Sequence, residues 1–298
     1  MRYVRVDPHV GLANLIAVTA PSTVQRHQVI IAGDVERVHS RFSITGWLSP
    51  ADGDVYYGIL ALATASTETT APWEQLKATE GFAAMPCRVV RCSWRELART
   101  AGCNSYGKST GKQLRASLLR LGRVRQSLYE RNIEIGGTQW LAWRFSRGGA
   151  LIVLNPRASW VLGLSRKELS KHPVTLLSLE ERTQLNDAEA RVLHSWLSAW
   201  ARPKPGRVWK ITKARLAGHV WKDNPGGTTS ARRQVRFTKL LARFDNLGGR
   251  WHVTVNDGVV EVRCESLRQS RAVPLDDSEA HGEDEGNSME HGPEAFAQ

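Results

Sequence analysis

From Thr228 to Leu247 the apolar positions fall on one helical face. Phe237, Leu240, Leu241, Phe244 and Leu247 stand at i, i+3, i+4, i+7 and i+10, a stripe that predicts an amphipathic helix. Thr228–Ser230 are placed to cap its start and Gly248-Gly249 to end it. Its polar side is almost all one sign: Arg232, Arg236, Lys239 and Arg243 recur at i, i+4, i+7 and i+11, with no Glu at i±4. A charge run usually means a solvated face. A face of one sign without acidic partners favours contact with a polyanion.

The neighbouring pattern gives that helix a setting. Asn186–Trp200 reads as an amphipathic helix with Val192, Leu193, Trp196, Leu197 and Trp200 inward. A strand at Arg207–Ile211, a helix at Thr212–Val220 and a turn at Lys222–Gly227 lead into the basic helix. Trp251–Val255 and Val259–Arg263 then alternate as strands about Asn256-Asp257-Gly258, a hairpin signal. This order is that of a helix-turn-helix with a β wing.

An earlier stretch repeats the theme. Asp52–Ala65 reads as a helix, Arg88–Cys92 as a strand, and Ser93–Ala101 as a helix with Ser93 as cap and Glu96 at the capping-box position. A Gly-rich turn follows at Gly102–Gly107. The next helix, Thr110–Gln126, buries Leu114, Leu118 and Leu121 and shows Lys108, Lys112, Arg115 and Arg120. Strands near Leu128–Ile135, Thr138–Phe145 and Ala150–Leu154, separated by Gly136-Gly137 and Gly148-Gly149, suggest a larger wing. Val29–Ala32 and Arg41–Thr45 read as extra strands, and Thr64–Pro86 as an excursion. The expectation is an α+β, mainly α chain of two tandem winged-helix domains, 1–155 and 186–266. A connection of one helix, 156–185, broken at Pro173, joins them, and a disordered acidic tail, 267–298, follows.

Charge sharpens this reading. The chain carries +12, but from Pro274 onward there are eight acids and no Lys or Arg, so residues 1–273 hold 41 basic against 21 acidic groups. A body that basic points to phosphate backbones or an anionic surface. The longest apolar run, Ala150–Leu154, is far below the roughly 20 residues of a membrane span. Arg2, Arg5 and Asp7 leave no apolar core for a secretory signal. The four cysteines lack CxxC spacing and a nearby His set, which argues against zinc and fits a reducing cytoplasm. Most of the eleven tryptophans, Trp196 and Trp200 among them, are expected in the core.

Gly102-Cys-Asn-Ser-Tyr-Gly-Lys108-Ser109 satisfies GxxxxGK[ST] letter for letter. That motif cradles phosphates when a buried strand delivers it to a helix. Here Trp94, Leu97, Ala98 and Ala101 have helical spacing before it, and Leu151–Leu154 ends in Asn155 rather than a magnesium-binding Asp. The glycines are therefore expected to serve a turn, with Lys108 and Ser109 opening a DNA-facing helix. The histidines form no HExxH or HxxxH, and Asp52 and Asp54 read as a helix start. No catalytic residues, cofactor or metal are expected.

The chain resembles the RepC-type iteron-binding replication initiators of IncQ-like plasmids. The resemblance rests on Val6-Asp7-Pro8 with Leu12 and Leu15, Leu151–Pro156, Ala190–Trp200, Leu216–Trp221, and Arg232–Arg236 followed by Leu240-Leu241. It departs in the Trp73 loop and the acidic tail. It implies tandem winged helices that bind direct repeats in a plasmid origin and help open adjacent AT-rich DNA. It also implies cooperation with a plasmid-encoded helicase and primase, no catalysis, and a DNA-facing role for Arg232, Arg233, Arg236 and Lys239.

From residue chemistry, Arg232, Gln234 and Arg236 are the base-edge candidates of the second domain, with Lys213, Lys239 and Arg243 on phosphates. In the first, Lys112 and Arg115 would read bases, with Lys108 and Ser109 on the backbone. The wing turns at Arg147 and Asn256 are further candidates. One monomer could then cover one repeat. The rival readings are a winged-helix transcription regulator and a P-loop ATPase using Gly102–Ser109.

Overall fold

The computed structural model describes residues 3–13, 15–16, 28–35, 38–131, 133–169, 171–201, 207–221, 231–245 and 247–264. Residues 1–266 pack as one compact unit. The acidic segment, the turn at 222–227 and the capping residues 228–230 lie outside the described residues.

The fold is a mixed α+β one. Its elements begin with β1 (Tyr3–Val6), α1 (Pro8–Leu12), β2 (Gln28–Val35), β3 (Val38–Ile44) and α2 (Pro50–Thr64). Then come β4 (Thr69–Thr70), a 3-10 turn at Glu74–Leu76, α3 (Glu80–Ala83), β5 (Cys87–Ser93), α4 (Trp94–Thr100) and α5 (Lys108–Leu121). β6 (Arg125–Glu130), β7 (Ile133–Gln139), β8 (Leu141–Phe145) and β9 (Gly149–Leu154) follow. The middle holds α6 (Pro156–Gly163), α7 (Arg166–Leu169), β10 (Thr175–Ser178) and α8 (Leu179–Gln184). The last group is α9 (Ala188–Trp200), β11 (Val208–Thr212), α10 (Lys213–Val220), α11 (Ala231–Phe244), β12 (Trp251–Asn256) and β13 (Val259–Cys264).

Two parts of this chain share one topology. In the first, α2, β5, α4, α5, β8 and β9 occur in that order, with the strands arranged β5-β9-β8; in the second, α9, β11, α10, α11, β12 and β13 give β11-β13-β12. The correspondence reaches single hydrogen bonds. Ser93 accepts from the Glu96 amide to cap α4, and Thr212 from the Arg215 amide to cap α10. The first amide of each of these helices, Trp94 and Lys213, donates to a hairpin-turn carbonyl, Gly148 at 3.3 Å and Gly258 at 2.7 Å. Each β hairpin is thereby tied to the helix preceding the basic one. Asp257 and Gly258 both have positive φ, the conformation that a tight, right-twisted two-residue turn requires.

α2 is apolar around most of its circumference, with Val55, Tyr56, Tyr57, Ile59 and Leu60 all buried, so it forms the centre of the first core rather than one side of it. Ser49 and Asp52 close a reciprocal capping box at its start. The second core is built from α9, α10, α11 and the hairpin, with Phe237, Phe244 and Trp251 fully buried.

Several expectations shift. The helix expected to reach Gln126 stops at Leu121, and Arg125–Glu130 is strand. The hairpin turns at Arg131, in a left-handed conformation, not at Gly136-Gly137, which lie within β7. Those glycines make room for the preceding excursion. A Cβ on Gly136 would meet the Phe82 ring at 3.2 Å, and the Gly137 amide donates to Thr79 Oγ1 at 2.7 Å. Nor do β6 and β7 enlarge the wing; they extend the sheet β2-β3-β6-β7. The stretch 156–185 holds three short helices and β10, which pairs antiparallel with β1. Four-residue elements such as β10 are too short to show a period.

Asp7, from the first of the motifs behind the resemblance, sits in a buried polar cluster. It accepts from the His9 ring at 2.9 Å, Gln126 at 3.1 Å and Arg157 at 3.2 Å. Asn155 caps α6 through the Ala158 amide. Burial would raise the Asp7 carboxyl, but Arg157 and these hydrogen bonds outweigh it and hold the pKa well below the usual value.

Candidate nucleic-acid interface

α11 forms because four large apolar residues at helical spacing have a core to enter. Phe237, Leu240, Leu241 and Phe244 are each at most 4% exposed. The opposite side is left to solvent, with Gln234, Val235, Arg236, Thr238, Lys239, Ala242 and Arg243 exposed. No acid lies in its sequence. Arg232 is on the helix, but its side chain lies outside the described residues.

The acids come from another element. Glu189, buried near the start of α9, pairs with Arg236 at 2.7 Å, and Asp187, just ahead of that helix, pairs with Arg243. The sequence pattern missed this because the carboxylates are about fifty residues away and meet the arginines only through folding. On the other flank Lys213 Nζ donates to Thr238 Oγ1 at 2.8 Å, and Thr238 donates to the Gln234 carbonyl. Arg233, half-buried, lies 5.8 Å from the Trp221 ring. Val235 and Thr238 were absent from the sequence-derived candidates. Their only sequence signal is their position opposite the apolar stripe.

α5 has the same shape and no acid. Leu114, Leu118 and Leu121 enter the core, while Lys108, Ser109, Lys112 and Arg115 are exposed in its first half. Gly107 provides no side-chain cap, which leaves the first amides and two lysines together at the helix start. Arg115 stacks over Trp94, 4.9 Å from its ring. Arg120, counted on the basic face by spacing, instead turns inward onto fully buried Asp52 at 2.7 Å. A buried carboxylate needs such a partner. Helix α4, not a strand, precedes Gly102–Gly107, so the delivery geometry of a P-loop is missing. Arg147 and Asn256 stand exposed at the turns of the β8–β9 and β12–β13 hairpins.

The second unit is fastened by ionic groups that the sequence pattern did not single out. Glu181 of α8 accepts from Arg250 at 2.7 and 2.8 Å, from His194 at 2.8 Å and from Trp251 Nε1 at 3.1 Å. Burial alone would raise the Glu181 carboxyl, but the bonds from His194 and Arg250 bring it down to about 2. Burial also lowers His194, outweighing the carboxylate beside it, so this ring is neutral at physiological pH. Asp54 on α2 binds Arg182 and Arg191, with Arg191 at 2.7 Å, joining the first unit to α8 and α9. Both aspartates of the Asp52-Gly53-Asp54 segment therefore serve structural ion pairs. Among the described residues no cluster of metal-ligating side chains occurs, and no helix is long and apolar enough to cross a membrane.

The replication protein C (RepC) family model matches residues 73–262, a span containing both basic helices. The chain belongs to the RepC family. That membership supports a role in initiating plasmid replication. Among solved structures, the chain is similar to a selenomethionine crystal structure of domains 2 and 3 of RctB, at 11% identity and TM-score 0.47 over 86% of this chain and 98% of that one. A second RctB domain 2–3 structure gives 12% identity and TM-score 0.46 over 86% and 97%. No curated relative matches the sequence.

Proposed function

We propose that this RepC-family protein is a sequence-specific double-stranded DNA-binding initiator that occupies iteron repeats in a plasmid origin. In this reading each topological repeat is a winged-helix unit, with α5 and α11 as recognition helices and the β8–β9 and β12–β13 turns as wings. The observation that carries it is the repeat itself: two basic, acid-free helices held at equivalent places in equivalent frameworks. Basic groups on exposed helix faces supply the phosphate attraction, and arginine and amide side chains supply base readout.

On this reading Lys108 and Ser109 grip the backbone at the start of α5, and Lys112 and Arg115 face the groove. Arg232, Gln234 and Arg236 read base edges from α11, while Lys213, Lys239 and Arg243 bind phosphates. Arg233 adds charge at the start of α11. One monomer spans two successive major-groove faces, about one helical turn apart. The protein then promotes opening of adjacent AT-rich DNA and works in the cytoplasm with a plasmid-encoded helicase and primase, without catalysis of its own.

A footprint on DNA from its own replicon, taken over a range of salt, tests this reading. Regularly spaced protected direct repeats that weaken as salt rises are expected. Protection of a single promoter-proximal site would replace it with a transcription regulator, and salt-sensitive binding without a footprint would reduce it to non-specific coating.

A further inference from the structure

Val235 is 56% exposed on a helix whose other large apolar side chains all enter the core. At helical spacing it lies opposite Phe237, Leu240, Leu241 and Phe244, and Lys239 and Ala242 continue its line at i+4 and i+7. A β-branched residue there weakens helix propensity and buries little surface, so neither helix formation nor core packing accounts for it. Its flanks are polar and held: Arg236 by Glu189 on one side, Thr238 by Lys213 on the other. α5 differs here: the fifth residue of that helix is Lys112, and its exposed large apolar residue, Leu119, lies two turns further on. Of the groups that base edges present in the major groove, the thymine 5-methyl is the apolar one.

We propose that Val235 is a specificity-determining residue that packs against a thymine methyl in each bound repeat. The proposal rests on α11 being the groove-facing helix. The flanking cations set the register on the backbone, and Val235 then adds sequence preference through a contact that carries no charge. It therefore alters discrimination between sequences and leaves the salt dependence unchanged.

The test uses the full chain and duplexes carrying one footprinted repeat, with each thymine replaced in turn by deoxyuridine. That change deletes one methyl and preserves every hydrogen-bonding group. The wild-type protein should lose about fourfold in affinity at one thymine or two adjacent ones, the factor that corresponds to about 0.8 kcal/mol for one buried carbon. Val235→Ala, helix-compatible and checked by thermal melting, should bind the thymine and deoxyuridine duplexes equally at that position. Val235→Thr, which keeps one methyl, should retain part of the difference. Wild-type indifference to every replacement, or unchanged sensitivity in Val235→Ala, overturns the assignment. Absence of any footprint overturns the DNA reading beneath it instead, so the two failures are distinguishable.

Discussion

α5 and α11 occupy equivalent places, yet their cations are held differently. On α5, Lys108 and Lys112 are exposed and make no ion pair among the described residues, while Arg120 is drawn inward by Asp52. On α11, Arg236 and Arg243 each meet a carboxylate from the start of α9. Such half-exposed pairs add little to stability, but they restrict a planar guanidinium to one orientation. A fixed planar fork suits a base edge, and a flexible ammonium suits a phosphate. On the proposed reading, the difference makes α11 the more discriminating helix and Lys108 of α5 a backbone grip.

The largest expected effect lies beneath α11. Glu181→Ala would leave buried Arg250 without its carboxylate and should cost roughly 3–5 kcal/mol in urea denaturation, whereas cutting back exposed Lys112 should leave stability nearly unchanged. The same cluster sets an acid limit. Glu181 is depressed in the folded state, so its contribution is present above the usual 4.5 and fades as pH falls toward about 2. His194, lowered by burial, adds to the loss, because below its ordinary 6.5 the unfolded chain takes up a proton that the folded one resists. Melting temperature should therefore fall from about pH 6.5 downward and more steeply below 4.5; a flat profile would contradict the network.

Next comes Arg236→Ala, expected to lose roughly 1–3 kcal/mol on its own repeat and to relax sequence preference. Lys108→Ala, at the backbone-gripping end of α5, should weaken all duplexes alike and flatten the logarithmic salt dependence by about one. Equal behaviour of the two variants in a salt-titrated binding series would erase the distinction between the helices. The smallest effect belongs to Glu189→Ala. Freed from its carboxylate, Arg236 should bind random duplex slightly better and the repeat no better, narrowing discrimination by less than about 1 kcal/mol. Tighter binding to the repeat would show that Glu189 restrains Arg236 rather than orients it.

What the sequence revealed follows from the range of the forces involved. α11 and its hairpin were readable because a long apolar stripe and Asn256-Asp257-Gly258 are local signals. The caps at Ser93 and Thr212 belong to the same class, although only Ser93 was singled out. β10 was hidden because its pairing with β1 joins residues about 170 positions apart. Gly136 and Gly137 imitated a turn because glycine marks close approach as readily as reversal. The candidate cations were legible as a charge pattern, but the partners of Arg236, Arg243 and Arg120 lie on distant elements. Spacing alone had grouped Arg120 with Lys112, and only the position of Asp52 separates them.

Hydroxyl-radical footprinting on one repeat, with the wild type and two double variants, tests the central claim most directly. One variant carries Arg236→Ala with Lys239→Ala, the other Lys112→Ala with Arg115→Ala. The account predicts two protected blocks on one face of the duplex, about 10 base pairs apart, with each variant losing a different block. Protection confined to one block, or equal fading of both blocks in both variants, would contradict a chain that reads DNA with two helices.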